Sequence, residues 1–270
     1  MSQSVVLITG ASSGIGKATA LHLLKAGYRV YGAARRLEAM HDLQAAGGQI
    51  LSMDVTDAVQ IERGLAQLLA ETGRLDVLIN NAGYACYGSV EETPLAEARR
   101  QFEVNNFGLA ALTQAVIPVM RQQRSGRIIN LSSMGGKIYF PLGAWYHASK
   151  HALEGWSDCL RLELKPFGID VIVIEPGVIA TEFGDVMSEP LLKRSGAGPY
   201  ASMAQAMVRA LHQGSSSPPE LIAATIATAM KASRPRTRYV AGKMARPMML
   251  MRLLLGDRRF DQMLNNLLKS

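Results

Sequence analysis

Six short runs rich in β-branched residues, at 5–9, 29–34, 50–53, 77–80, 127–131 and 170–175, recur along the chain, with longer segments of helical period between them. The runs are apolar on both faces instead of alternating, which is the pattern of parallel strands covered on each side by helical crossovers. An α/β fold with a doubly wound parallel sheet is therefore expected, as a single domain spanning 1–270. Helices are expected over 16–26, 59–70, 95–122 and 144–164, the third with a kink near Pro118. After Gly177 the alternation fails. The stretch 181–217 carries Gly, Ser and Pro punctuation, including Gly214, around a helical piece at 200–212, and reads as a lid or binding loop. A helix over 219–232, a last strand over 238–240 and a C-terminal helical extension over 244–270 complete the expectation. The extension sets Phe260, Met263, Leu264, Leu267 and Leu268 on one stripe.

With 48% hydrophobic and 19% charged residues, the composition is that of a globular protein. No stretch approaches the roughly 18 uncharged apolar residues that span a bilayer. The N-terminus enters an apolar run without a basic region or a small-residue cleavage site, so a cytoplasmic protein is expected. Cys86 and Cys159 form no C-x-x-C pair; both read as structural thiols, and no metal site is expected. The net charge of +7 is gathered at one end: residues 231–270 hold ten Lys/Arg and two acids, a net +8 against −1 elsewhere. Such a tail suits anionic lipid, an acidic partner or nucleic acid, while the simpler reading is a solvated helix face. Nucleic acid is disfavoured because Tyr239 and Phe260 are the tail's only aromatics. Peripheral membrane contact stands as the less favoured reading.

Two groups of residues carry chemistry. Thr9-Gly10-Ala11-Ser12-Ser13-Gly14-Ile15-Gly16 closes the first strand and opens the first helix, so that backbone N–H groups and a helix N-terminus face a pyrophosphate. Downstream, Ser133 precedes Tyr146 by thirteen residues, and Lys150 follows Tyr146 by one helical turn. A tyrosine hydroxyl ionises near pH 10, and an adjacent ammonium is expected to lower that value into a useful range. Ser133 would bond a substrate oxygen while Tyr146 gives or takes its proton. His147 and His151 flank the pair without a carboxylate partner in the motif and read as packing residues.

With these residues in place the chain resembles the short-chain dehydrogenase/reductase family over nearly its whole length. TGASSGIG matches the family's phosphate turn, Asn80-Asn81-Ala82-Gly83 its motif after the fourth strand, and Tyr146 with Lys150 its Y-x-x-x-K pair. Ser133, Asn105 and Pro176-Gly177 complete the pattern. The resemblance implies a Rossmann fold with a substrate lid at 181–217 and an oxidoreductase acting on CH–OH groups. It makes Asn105, Ser133, Tyr146 and Lys150 catalytic, with Asn105 holding a water that relays protons from Lys150. Cofactor contacts would come from Gly10, Ser12, Ser13, Gly14, Ile15, Gly16, Asp54, Val55, Asn81, Ala82, Gly83, Tyr146, Lys150, Pro176, Gly177, Val178 and Thr181. A homodimer or homotetramer built through 95–122 and 144–164 is also implied.

At the end of the second strand, where an NAD-selective site places an acid, stand Ala34, Arg35 and Arg36. Guanidinium groups suit a 2′-phosphate, so NADP(H) is favoured over NAD(H). Nine of the 14 methionines lie beyond residue 181 and, with Tyr84, Tyr87, Tyr139, Phe140 and Phe183, favour a small lipophilic carbonyl or alcohol substrate. The lid and tail resemble the steroid- and retinol-type branch. The alternatives are an NADPH-sensing binding protein and a ketoacyl-type reductase.

Overall fold

The structure, a computed structural model, describes residues 3–213 and 215–269; Gly214 and the side chain of Leu268 lie outside the described residues. The first half runs β1 (Val5–Thr9), α1 (Gly14–Lys25), β2 (Arg29–Ala34), α2 (His41–Ala45), β3 (Gln49–Ser52), α3 (Ala58–Thr72), β4 (Val77–Asn80) and α4 (Leu95–Phe102). The second half runs α5 (Leu109–Gln123), β5 (Gly126–Leu131), α6 (Ala144–Leu164), β6 (Ile169–Pro176), α7 (Phe183–Ser195), α8 (Ala201–Gln213), α9 (Pro219–Lys231), β7 (Arg238–Ala241) and α10 (Ala245–Lys269).

Strand alternation divides the core in two. In β1, Val6 and Ile8 join one apolar cluster and Val5 and Leu7 the other. The first cluster includes Ala20 and Leu23 of α1 and Ile222 and Ile226 of α9. The second includes Leu65 and Leu68 of α3, Leu112 and Val116 of α5, and Leu160 and Leu164 of α6. Helices on both faces explain why the strands show no polar side. The sheet order is β3-β2-β1-β4-β5-β6-β7, all parallel. The chain winds outward from β1 to β3, then returns to start β4 on the other flank of β1, and that reversal opens a crevice at the strands' C-terminal ends.

Several boundaries differ from expectation. The third strand begins at Gln49, one residue early. The helix expected over 95–122 is three pieces, and Pro118 sits inside an uninterrupted α5. The departure from α-geometry falls instead at Glu103–Gly108, a π-helical turn of the kind that often marks functional sites. The stretch 181–217 contains a second helix, α7, which Gly184 and Pro190 concealed from the periodicity. In the extension, Phe260 and Leu264 are buried beside Ile138 and Met248, and burial of one such ring is worth about 1.5–3 kcal/mol. α10 is broken at Gly256, whose φ of 65° and ψ of −175° belong to glycine. Among the described residues no helix is long and apolar enough to cross a membrane.

Candidate active site

The crevice is a cavity of about 660 Å³ that runs from Gly10 and Ser12 past Arg35 and Asp54 to Ser133, Tyr146 and Lys150. Its floor at the phosphate end is backbone. Thr9 closes β1 and its hydroxyl accepts from the N–H groups of Asn81 (3.1 Å) and Ala82 (3.0 Å). Asn81 Nδ2 donates back to the Thr9 carbonyl at 2.9 Å, so the turns after β1 and β4 are tied together. Gly10 has a φ of +67°, and a Cβ there would lie 2.9 Å from the Ala82 Cα. At Gly16 a Cβ would lie 2.3 Å from the Gly10 carbonyl oxygen. This close-packed cradle at the start of α1 fits a dinucleotide pyrophosphate.

Farther along the crevice, Asp54 accepts from the Thr56 N–H (2.9 Å) and hydroxyl (2.7 Å). Burial works to raise its pKa, but these bonds and the Arg100 and Arg35 guanidinium groups hold it below the ordinary value. Arg35 stands 3.9 Å from Asp54 and Arg36 3.8 Å from Glu182, both largely exposed. Such surface pairs are worth under about 1 kcal/mol, so either guanidinium can be redirected to an incoming phosphate.

At the other end, Tyr146 and Lys150 lie one turn apart on α6, and Ser133 follows β5. The Ser133 hydroxyl accepts from the Gly135 N–H at 3.0 Å and hydrogen-bonds Tyr146. Lys150 Nζ donates to the Leu131 carbonyl at 2.7 Å. Burial pushes the Tyr146 phenol up to about 12, opposed by the Ser133 bond. Burial likewise pulls Lys150 down to about 8, opposed by the Glu154 charge. Desolvation, rather than the Lys150 charge, is the largest influence on the Tyr146 phenol.

A sequence profile of the short chain dehydrogenase family matches residues 4–191, well over half of the chain. The chain belongs to the short-chain dehydrogenase/reductase family. It is 42% identical over 185 residues to a 3-ketodihydrosphingosine reductase of Bacteroides thetaiotaomicron, covering 68% of this chain and 67% of that one. It is 42% identical over 179 residues to a probable short-chain type dehydrogenase/reductase of Helicobacter pylori, the match spanning 66% of each chain. A solved short-chain dehydrogenase from Streptomyces avermitilis superposes with a TM-score of 0.83 at 39% identity, over 94% of this chain and 93% of that one. This short-chain dehydrogenase/reductase is accordingly an oxidoreductase acting on CH–OH groups.

In this family member most of the residues singled out by sequence line the crevice: Gly10, Ser12, Ser13, Gly14, Ile15, Arg35, Arg36, Asp54, Val55, Asn81, Ala82, Gly83, Ser133, Tyr146, Lys150, Pro176, Gly177 and Thr181. Gly16 lies behind the cradle. Val178 is not on the wall among the described residues; its N–H donates to the Lys243 carbonyl at 2.9 Å, and Ile179 lines the crevice instead. Asn105, 1% exposed, donates from Nδ2 to the Tyr84 carbonyl (3.0 Å) and Ser149 Oγ (3.2 Å) and accepts from the Tyr84 N–H (3.1 Å). Its side chain thereby pins the Tyr84 loop to α6. His147 is a packing residue: burial lowers its pKa to about 4, Nδ1 lies 2.9 Å from the Gly135 carbonyl, and Nε2 accepts from the Phe140 N–H.

Sequence reading missed a buried charge cluster behind Lys150. Glu154, one turn along α6, is met by Lys137 Nζ and Arg238 Nε, each at 3.0 Å. Glu175 of β6, 1% exposed, faces it, and Arg238 also reaches Asp158 at 2.8 Å. Burial and the Glu154 charge push Glu175 up to about 7, outweighing Lys137 and Arg238. The five residues come from four separate parts of the chain, Glu154 and Asp158 both from α6, so only a buried-looking Glu in each of two apolar runs could have signalled them.

Proposed function

We propose that the enzyme transfers a hydride between NADP(H) and a lipophilic ketone, aldehyde or alcohol of steroid- or retinoid-like character. The observation that carries this reading is the position of Tyr146 where two surfaces meet. It belongs to the crevice wall and also to an apolar cluster of Tyr87, Leu142, Met187, Leu191 and Met207, supplied in part by α7 and α8. Phe183 adds a ring 5.7 Å from that of Tyr146. A substrate carbonyl beside the hydroxyl would have its apolar remainder against thioether and aromatic groups, which adapt to bulky shapes.

The bound cofactor supplies or accepts the hydride. In reduction Tyr146 gives its proton to the nascent alkoxide, and in oxidation it takes the proton back. Ser133 steadies the same oxygen by hydrogen bonding. Lys150 holds positive charge beneath the tyrosine, and Asn105 positions the Tyr84 loop and α6 around them. A relative named as a 3-ketodihydrosphingosine reductase supports ketone reduction. A serine dehydrogenase solved with NADP+, 27% identical with a TM-score of 0.78, supports the cofactor choice. Assembly into a homo-oligomer through the α5 and α6 region is supported by the exposure of Phe107 and Leu162.

Steady-state turnover of apolar ketones with NADPH and NADH tests the proposal. NADPH is expected to be preferred, and Arg35→Ser to raise its KM roughly tenfold with little change for NADH, the scale of a charge-assisted hydrogen bond. Equal use of both cofactors, unaffected by the substitution, would contradict it.

A further inference from the structure

The outward face of α10 carries leucine where a surface helix ordinarily carries polar residues. Between Ala245 and Gly256 the helix buries Ala245 and Met248 and turns Arg246, Pro247, Leu250, Leu253 and Leu254 to solvent. Their spacing of three and four residues sets them on one side. Leu250 is 55%, Leu253 79% and Leu254 71% exposed. An adjoining group of large exposed apolar side chains marks a contact surface.

Charge indicates what that surface meets. Lys243 and Arg246 border the leucines at one end; past the break at Gly256, Arg258 and Arg259 are exposed at the other. The two acids of the tail are already engaged: Asp257 pairs with Arg252, and Asp261 accepts from the Tyr139 hydroxyl at 2.7 Å. Arg252 itself is turned inward over the Tyr139 and Phe260 rings. The outward side therefore combines apolar bulk with positive charge that no ion pair among the described residues offsets. A second copy using the same face about a twofold axis would bring the basic residues bordering the leucines, Lys243, Arg246, Arg258 and Arg259, against basic residues of its partner, like charge on like. Anionic lipid offers the opposite charge and an apolar layer together.

We propose that α10 docks this protein on an anionic lipid surface, with Leu250, Leu253 and Leu254 entering the headgroup boundary and the flanking Lys243, Arg246, Arg258 and Arg259 meeting lipid phosphates. The helix lies in the interface plane and does not span. Because α10 packs on α8, docking sets the lid beside the lipid.

Sedimentation with phosphatidylcholine vesicles, with and without phosphatidylglycerol, tests this on the full chain. The wild type is expected to pellet with the anionic vesicles, less so as salt is raised. The double variant Leu253→Ser/Leu254→Ser should lower the vesicle-bound fraction roughly tenfold while NADPH-dependent turnover in free solution is unchanged. Arg246→Glu should weaken binding to anionic vesicles and leave the zwitterionic background as it was. Equal pelleting by wild type and double variant, or a wild type indifferent to phosphatidylglycerol, overturns the proposal. So does a wild-type oligomer that the double variant dissociates while neither form binds vesicles, which would make the face a contact between copies.

Discussion

Around Gly10 and Gly14, with Gly16 packed behind them, the crevice is walled by backbone, whereas around Phe183 and Val186 it is walled by side chains of α7, next to the apolar cluster of Met187 and Met207 that Tyr146 joins. The first wall tolerates almost nothing, since an added Cβ meets fixed atoms under 3 Å away at Gly10 and Gly16. The second is made of groups that repack. One end of the molecule is built for a constant ligand and the other for a variable one, and that division predicts sharply different responses to substitution.

The largest effect should come from the rigid end. Gly16→Ala forces a Cβ to within 2.3 Å of the Gly10 carbonyl, a clash costing about 1–3 kcal/mol or more. NADPH affinity and the unfolding temperature should both fall, measured by titration calorimetry and thermal unfolding; a variant that binds as the wild type does would show that the cradle is looser than its geometry.

The charge cluster behind Lys150 sharpens the contrast, because it is buried among fixed elements yet carries charge. Glu175 has an ordinary pKa of 4.5 that rises to about 7 in the fold. Below pH 4.5 it is neutral in both states and burial carries no charge penalty. As pH climbs toward 7 the unfolded chain sheds the proton first, so stability falls across that window. Glu175→Gln should match the wild type near the acid limit and exceed it above pH 7 by up to roughly 3 kcal/mol. Denaturant unfolding at both pH values measures the difference; parallel curves would deny the shift.

The smallest effect should come from the adaptable end. Phe183→Ala removes a partly exposed ring beside Tyr146. The KM for a bulky ketone should rise several-fold, with kcat and NADPH affinity little altered, as for loss of an apolar contact. A large fall in kcat with unchanged KM would instead make Phe183 part of the chemical step.

The same division explains what could be read from the sequence. The strands at 5–9, 29–34 and 77–80 coincide with β1, β2 and β4, because residues buried on both faces of a sheet leave an unmistakable run. The crevice was legible where glycine must occupy a position, at Gly10 and Gly16. It was illegible where packing chooses among equals. Pro190 hid α7, and Asn105 gave no sign that it sits in a π-turn with its side chain bonded to Tyr84. Glu154 and Glu175 become partners only when α6 covers β6. The tail's expected stripe at Phe260 and Leu264 does pack inward, but the exposed leucines at 250, 253 and 254 follow from the direction α10 takes before Gly256, which periodicity does not encode.

The central claim is that Tyr146 moves the substrate proton from a site otherwise assembled to hold the cofactor. Tyr146→Phe removes one hydroxyl and leaves the ring in its apolar cluster, so kinetics and binding can be separated. NADPH-dependent ketone reduction should fall about 10²–10⁴-fold, the range for a general acid, while the NADPH dissociation constant stays within about twofold. Turnover that survives the substitution would contradict the account.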